Sequence, residues 1–419
     1  MSLAEATRLD AADPLADFRA RFHLPPHGDE DCVYLCGHSL GLQPRAAARY
    51  LEEELESWRR FGVEGHFRGP RPWKDYHEHF TAPLATLVGA RPDEVVSMNG
   101  LTVNLHLLMV SFFRPSGARR KILLERSAFP SDRYAAESQL RHHGLDPAEA
   151  LIEIGPRTGE THLREDDLVA AIHAAGDSLA LVLLPGVQYL SGQALDVARL
   201  TAAAHEVGAI AGWDLAHAIG NLPLSLHDAG ADFAAWCSYK YLNGGPGAVA
   251  GAFVHQRHGR DTSLPRFAGW WGHDKATRFR MGPDFHPIPG AEGWQLSNPP
   301  VLGMAALLAS LELFIAAGLP ALREKSLALT GRLLRRLDET LSGRVEVLTP
   351  REPAHRGCQL SLRLCDGSEA GRAAFTRLGE EGIVCDWREP DVIRVAPVPL
   401  YNRHLDTERF VTTLAKALS

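Results

Sequence analysis

The chain has 419 residues, with 44 basic and 51 acidic side chains and a formal net charge of −7. One hydrophobic core rarely organises so long a chain, so we expect a large domain and a smaller one. The dispersed charges and the acidic balance lack the basic footprint of a nucleic-acid-binding protein, which favours a small-molecule ligand.

The first residues of the sequence do not predict export. Residues 1–22 mix acidic and basic side chains and contain no apolar run of the kind that a signal peptide needs. The six cysteines lack the paired spacing of a zinc site or a disulfide framework, so no metal is predicted. These features together predict a cytoplasmic protein.

A short glycine and serine motif follows at 37–41 (GHSLG). It matches the nucleophile elbow of α/β-hydrolases, with Ser39 as the nucleophile, a strand at 33–36 before it and a helix at 45–54 after it. That elbow usually follows several strands, whereas at most one precedes it here. A hydrolase that uses Ser39 is therefore the weaker alternative.

A second motif at 97–102 (SMNGLT) precedes a helical pattern of apolar residues. Backbone N–H groups and the Thr102 hydroxyl at such a helix N-terminus favour the binding of a phosphate group. An ordinary helix cap at Asn99 or Thr102 explains the same residues equally well.

Short apolar runs alternate with amphipathic stretches through the middle of the chain, which predicts a mostly parallel sheet. The predicted strands are 121–124, 151–154, 179–184, 209–213, 233–236 and 249–254. The run 179–184 (LALVLL) is apolar at every position, as expected of a strand buried on both faces. Between strands, 129–132 (FPSD) suits a hydrophobic staple with Ser131 as the cap of a helix over 134–140.

Two of these strands lead directly to residues that suit cofactor chemistry. Asp214 follows the run at 209–213, and Lys240 follows the run at 233–236 and precedes the glycine-rich turn 244–247 (GGPG). A lysine that leaves a buried strand can be desolvated, which suits it to form a Schiff base. Pyridoxal phosphate needs a lysine at its aldehyde and a carboxylate at its ring nitrogen, so this pair predicts a pyridoxal phosphate site.

The pattern changes after the proline pair at 299–300. The segment 304–322 carries a single charge, Glu312, over a length that could cross a bilayer, but it includes a glycine and a proline. We interpret it as a long helix between two domains rather than a membrane span. A small α+β unit is predicted from runs at 345–348, 359–364 and 392–395 and a helix at 406–418.

Long stretches of the chain carry a family resemblance: 111–140, 213–255, 269–273 (GWWGH) and 393–402 (IRVAPVPLYN). They resemble kynureninase, a family of aspartate-aminotransferase-like, fold type I enzymes that use pyridoxal phosphate. The resemblance runs from about Tyr34 to the C-terminus and covers nearly the whole chain.

The resemblance implies an α/β fold with a large, mostly parallel-sheet pyridoxal phosphate domain and a smaller C-terminal α+β domain. We expect the large domain over 46–305 and the small domain over 306–419. The N-terminal segment 1–45 is expected to contribute to the small domain.

The resemblance also implies which residues hold the cofactor. Lys240 would form the Schiff base, Asp214 would face the ring nitrogen, and Phe129 would stack on the ring. Lys240, Asp214 and Tyr239 are the implied catalytic residues, with Tyr239 as a proton relay. The implied cofactor-binding positions are Leu101, Thr102, Phe129, Pro130, Ser131, Asp132, Asp214, His217, Tyr239, Lys240, Trp270 and Asn298.

Further positions are implied for the substrate and for a second subunit. Arg394 would bind the α-carboxylate of an amino acid, a task that suits the planar guanidinium group. His66, His273 and Asn298 are polar groups that could pair with a hydroxyl on the substrate's aryl ring. In the family, Trp270 and Asn298 reach the phosphate of the neighbouring subunit, which implies a homodimer with shared active sites.

The implied reaction is hydrolysis of kynurenine or 3-hydroxykynurenine to an anthranilate and alanine, with the hydroxylated substrate favoured. Two positions depart from the family pattern: His38 stands where the family has an asparagine, and Pro185 stands where relatives often carry a small residue. A cysteine desulfurase or class V aminotransferase of the same fold is the main alternative.

Overall fold

The computed structural model describes residues 3–418, which form 14 α-helices and 17 strands joined by short 3-10 turns. The helices are α1 (Leu3–Ala11), α2 (Ala47–Phe61), α3 (Glu78–Val88), α4 (Leu101–Phe112), α5 (Pro130–His142), α6 (Pro147–Ala150), α7 (Glu165–Ala175), α8 (Val197–Glu206), α9 (Leu226–Ala229), α10 (Gln256–Gly259), α11 (Val301–Ala317), α12 (Leu319–Leu341), α13 (Ser368–Glu380) and α14 (His404–Ala417). The strands are β1 (Phe22–His23), β2 (Pro26–His27), β3 (Glu30–Asp31), β4 (Val33–Tyr34), β5 (Gln43–Pro44), β6 (Val95–Ser97), β7 (Lys121–Glu125), β8 (Leu151–Ile154), β9 (Leu179–Pro185), β10 (Ile210–Asp214), β11 (Phe233–Trp236), β12 (Gly251–Val254), β13 (Val345–Val347), β14 (Leu360–Leu364), β15 (Ile383–Val384), β16 (Asp386–Arg388) and β17 (Val392–Val395).

A seven-stranded sheet in the order β6-β12-β11-β10-β9-β7-β8 organises the larger part of the chain. The strands from β8 across to β11 run parallel, and β12 is antiparallel to both of its neighbours. The predicted mostly parallel sheet is therefore confirmed. The edge strand β6 was not predicted, because three residues are too few to show a period.

Tight packing on both faces explains why the central strands are apolar or glycine at nearly every position, with Asp214 at the end of β10 as an exception. Leu179 to Leu184 are all buried, as predicted for a two-faced strand. A Cβ atom at Gly212 would lie 2.2 Å from the Phe233 ring, and one at Gly251 would lie 2.4 Å from the Trp236 indole. Only glycine allows these two aromatic side chains to lie flat against the neighbouring strand.

The C-terminal part contains a separate four-stranded antiparallel sheet in the order β13-β14-β17-β16. The beginning of the chain packs against this part: β4 pairs in parallel with β15, and the Asp10 carboxylate accepts hydrogen bonds from the first backbone N–H groups of α14. These contacts support the predicted grouping of 1–45 with 306–419, and the exact boundaries stay predictions.

The prediction of one continuous helix over 304–322 is wrong. This stretch of the chain forms two helices, α11 and α12, which break at Gly318 with an angle of 84° between them. Gly318 has a φ of +76°, a conformation that costs glycine little and other residues more. Among the described residues no single helix is long and apolar enough to cross a membrane, and only this bent pair passes the same criteria when taken together.

Candidate active site

A cavity of about 290 Å³ lies at the carboxyl ends of the parallel strands. Glu125, Pro185 and Asp214 are the last residues of β7, β9 and β10, and all three line the cavity. Open α/β sheets bind ligands at this edge. The full lining consists of Gly100, Leu101, Thr102, Val103, Glu125, Phe129, Ser131, Asp132, Pro185, Val187, Tyr189, Asp214, Ala216, His217, Tyr239 and Lys240.

Lys240 reaches the cavity from the loop that follows β11. The backbone N–H of Gly41 donates to the carbonyl of Tyr239 at 2.8 Å, and a Cβ atom at Gly41 would lie 2.4 Å from the carbonyl oxygen of Lys240. Close backbone packing is therefore what Gly41 provides, and it fixes the base of the lysine side chain.

The interpretation of 37–41 as a nucleophile elbow is wrong. The strand β5 stands between this segment and α2, so no helix begins at the turn. Ser39 is not one of the described non-glycine residues that have a positive φ. It therefore lacks the strained conformation of an elbow serine. Ser39 also does not line the cavity at Lys240.

The amine of Lys240 lies 3.0 Å from His217 Nε2. A protonated amine can only donate, so in that state Nε2 accepts and the ring proton sits on Nδ1, which has no partner among the described residues. Burial, followed by the charge of Lys240, holds the pKa of His217 well below 6.5. His217 is therefore neutral and able to accept.

His38, the departure from the family pattern, lies behind His217. Its ring centroid is 6.5 Å from that of His217, and its side chain is fully buried. Burial, and then the charge of Arg394, hold its pKa well below 6.5. His38 is thus a neutral polar group, as the asparagine of the family would be.

Three carboxyl groups meet at one end of the cavity: Asp214, Asp132 and Glu125. All three are buried. Burial, followed by the charge of Asp214 and a hydrogen bond to it, raises the pKa of Asp132 well above 3.8. Glu125 was missed in the sequence, although it directly follows the strand predicted at 121–124 and its position at a strand end was the available signal.

This end of the cavity suits a cationic ring nitrogen. Three buried carboxyl groups share the cavity with a single lysine, Lys240, so the lining carries more acidic groups than positive charge. A buried carboxylate needs a partner of opposite charge or a proton. The protonated ring nitrogen of pyridoxal phosphate provides such a partner, so the residues fit this cofactor.

The N-terminal end of helix α4 lines the cavity and suits a phosphate group. Helix α4 begins at Leu101, and its N-cap is Gly100, which offers no side-chain cap to the first N–H groups. The hydroxyls of Thr102 and Ser131 lie 2.8 Å apart at this end. The alternative caps are not seen: neither Asn99 nor Thr102 is the N-cap of α4, and Ser131 lies inside α5.

Aromatic side chains close the cavity. Phe129 is 41% exposed, and its ring centroid lies 5.7 Å from the Lys240 amine and 5.3 Å from the Tyr189 ring in an edge arrangement. The centroid of the Tyr239 ring is 5.8 Å from the same amine. Pro130 is the first residue of α5 and directs Phe129 over the cavity by starting the helix there.

Arg394 lies on β17 and is buried. It donates to the carbonyl of Tyr189 at 2.6 Å and to Asp386 Oδ2 at 2.5 Å, and it does not line the cavity itself. Tyr189 lines the cavity, so the arginine joins the small sheet to the loop beside Lys240. Asp386, which was not predicted, lies on the short strand β16.

Four predicted residues are not brought to Lys240 within the subunit. His66 and Asn298 line a separate cavity of about 330 Å³, and Trp270 and His273 line another of about 270 Å³. His273 already has local partners, since Nε2 lies 2.9 Å from the Thr277 hydroxyl and Nδ1 accepts from a backbone N–H.

Comparisons with known proteins identify the family. The kynureninase C-terminal domain model matches residues 322–414. Curated kynureninases from Koribacter versatilis (strain Ellin345) and Stenotrophomonas maltophilia (strain K279a) are 58% and 57% identical to the chain; their alignments cover 97% and 98% of it, and 95% and 97% of the relatives.

Solved structures share the fold at much lower identity. A mutant of C-DES with glycine covalently linked to its PLP cofactor is 18% identical, with a TM-score of 0.77 over 93% of this chain and 99% of that one. The cysteine desulfurase CsdA from Escherichia coli is 16% identical, with a TM-score of 0.75 over 96% and 98%. The desulfurase alternative is thus supported only at the level of the fold, and the chain belongs to the kynureninase family of pyridoxal phosphate-dependent hydrolases.

Proposed function

We propose that the chain hydrolyses the Cβ–Cγ bond of L-kynurenine or L-3-hydroxykynurenine, with Lys240 as the residue that holds the cofactor. Water supplies the hydroxyl of the new anthranilate carboxyl group, and a proton is added to Cβ to complete L-alanine. The observation that carries this proposal is the Lys240 amine, which lies 3.0 Å from the neutral His217 in a cavity with three buried carboxyl groups.

Pyridoxal phosphate, when bound, supplies the electron sink that stabilises negative charge on the substrate's carbon atoms. Asp214 would hold its ring nitrogen, and Phe129 with Pro130 would cover one face of its ring. Leu101, Thr102 and Ser131 would hold its phosphate through the N-terminus of α4 and two hydroxyls.

Lys240 would also act as the base that takes the α-proton once the substrate has replaced it. His217 supports this role, because a neutral imidazole at 3.0 Å can accept a hydrogen bond without adding a second positive charge beside the amine. Tyr239 would pass a proton to Cβ. Burial raises the pKa of Tyr239, so its hydroxyl keeps its proton and can donate it.

Arg394 would bind the substrate's α-carboxylate. The structure supports this through its charge and burial, and through its direct contact with the Tyr189 carbonyl beside the cavity. Asp386 occupies one side of the guanidinium group, so the carboxylate would pair with the remaining N–H groups, among which Nε has no partner in residues 3–418.

A homodimer with shared sites would bring in the residues that are distant within one subunit. Trp270 is 43% exposed and Asn298 is exposed, and neither lines the cavity at Lys240. In a dimer they would reach the phosphate of the partner's cofactor, while His66 and His273 would face the aryl ring of a substrate. We place this activity in the cytoplasm.

The test is covalent trapping of the cofactor. The purified protein should be yellow, and borohydride should remove the colour and fix the label on Lys240. Lys240→Ala should retain weak cofactor binding and turn over no kynurenine. Wild-type-like turnover by this variant would contradict the proposal, as would inactivation by a serine reagent that modifies Ser39.

A further inference from the structure

Glu125 is a buried cavity-lining residue to which the proposed mechanism assigns no step of its own. It is the last residue of β7, it is 3% exposed, and it lines the cavity at Lys240. Strand β9 separates β7 from β10, whose last residue is Asp214. The carboxyl groups of Glu125 and Asp214 therefore lie at the same edge of the sheet, on the two strands that flank β9.

Gln188 fixes the position of the Glu125 carboxyl group. The amide oxygen of Gln188 accepts from the backbone N–H groups of Leu190 and Ser191, both at 2.7 Å. Its orientation is thus determined, and the amide nitrogen must face Glu125, to which it donates at 3.3 Å. The same nitrogen donates to the carbonyl of Ser127 at 3.0 Å, so the amide is held on every side.

The charges around Glu125 make its protonation sensitive to a ligand. Its pKa is raised to about 7, chiefly by burial; the hydrogen bond from Gln188 lowers it, and the charge of Asp214 adds to the rise. Asp132 is the next carboxyl group of the cluster, and it too favours its protonated form because burial raises its pKa. The only lysine or arginine in the cavity lining is Lys240.

We propose that Glu125 is a positioning residue: as the third carboxyl group of this cluster, it reinforces through its charge the hold of Asp214 on the protonated ring nitrogen of the cofactor. This rests on the proposed cofactor arrangement. Glu125 acts through Asp214, and the hydrogen bond from Gln188 holds the Glu125 carboxyl group in place. Above about pH 7 Glu125 adds negative charge, and below it the proton it carries removes that charge.

The experiment uses the holoenzyme and the Glu125→Gln variant, which keeps the size of the side chain and removes its charge. The dissociation constant of pyridoxal phosphate and the absorption spectrum of the bound cofactor are measured from about pH 5.5 to about pH 8.5. At the alkaline end, the variant should bind the cofactor about tenfold more weakly, and the midpoint of its spectral titration should fall by about one pH unit. At the acidic end, the two proteins should agree.

Glu153→Gln is the matched control, because Glu153 lies on the neighbouring strand β8, pairs with Arg133 and does not line the cavity. Glu125→Asp keeps the charge and should recover most of the alkaline affinity. An affinity and a midpoint unchanged in Glu125→Gln, or an equal loss at both ends of the pH range, would overturn the proposal. Loss of the borohydride label from Lys240 in the wild-type protein would instead overturn the cofactor arrangement on which it rests.

Discussion

Replacing Glu125 by glutamine should change how the stability of the cofactor-free protein depends on pH. The pKa of Glu125 is raised from 4.5 to about 7 in the folded chain, chiefly by burial. A carboxyl group with a raised pKa binds its proton more tightly when folded, so its contribution to stability is fully present below about pH 4.5. This contribution is lost as the pH rises through about 7.

The size of the loss follows from the two pKa values. Each pKa unit corresponds to about 1.36 kcal/mol, so ionising Glu125 between about pH 5 and about pH 8 costs the wild-type protein about 2.5 kcal/mol. Glutamine has no proton to lose and avoids this cost. The free energy of unfolding of Glu125→Gln, relative to wild type, should therefore rise by about 2.5 kcal/mol over that range.

Urea unfolding of the cofactor-free wild type, Glu125→Gln and Glu153→Gln at both pH values measures this difference. The control variant should follow the wild type to within about 0.5 kcal/mol, because Glu153 is a partly exposed surface residue. If the difference between Glu125→Gln and wild type were the same at both pH values, Glu125 would be ionised throughout and the reasoning from its burial would be refuted.

Four further predictions concern the site and its surroundings. Lys240→Ala mixed with Trp270→Ala should recover about a quarter of wild-type activity, since half of the dimers would be hybrids with one intact site; an active monomer in sedimentation would contradict this. 3-Hydroxykynurenine should be cleaved with a higher kcat/KM than kynurenine, and His66→Trp should change that ratio; an unchanged ratio would remove His66 from the specificity argument. His38→Asn should keep kcat within about threefold of wild type, because both side chains are neutral here; a larger loss would assign His38 a role of its own. Gly41→Ala should lower the affinity for pyridoxal phosphate, because its Cβ atom would lie 2.4 Å from the Lys240 carbonyl oxygen and move the lysine; unchanged affinity would show that the loop adjusts.

The central sheet was predictable because its strands are short apolar runs with distinct ends. The strand β9 is one residue longer than the predicted strand 179–184, and β10 begins and ends one residue later than the predicted strand 209–213. Parallel sheets bind ligands at the carboxyl ends of their strands, so the positions of Asp214 and Lys240 after two predicted strands were enough to propose them as a pair. By the same reasoning Glu125 was available at the end of β7, but a single glutamate after an apolar run is usually a solvated residue.

Features that depend on contacts between distant segments were not predictable. The angle of 84° at Gly318 is one such feature: Gly318 and Pro320 mark a candidate helix boundary in the sequence, but they do not give the direction in which α12 leaves it. The pairing of Arg394 with Asp386 is another. The two residues lie on neighbouring antiparallel strands. A strand of three residues, such as β16, is too short for its sequence to predict the register of that pairing.

The positions of Trp270 and Asn298 do not explain their predicted role within a single subunit. Each lines a cavity of its own, away from Lys240, so neither distance nor burial within the subunit connects them with the cofactor. A large indole that remains 43% exposed on a monomer is more readily explained if another surface covers it. A shared site gives both residues a ligand and accounts for their exposure at once. Complementation between Lys240→Ala and Trp270→Ala addresses this directly, because two defects within one self-contained site could not be rescued by mixing.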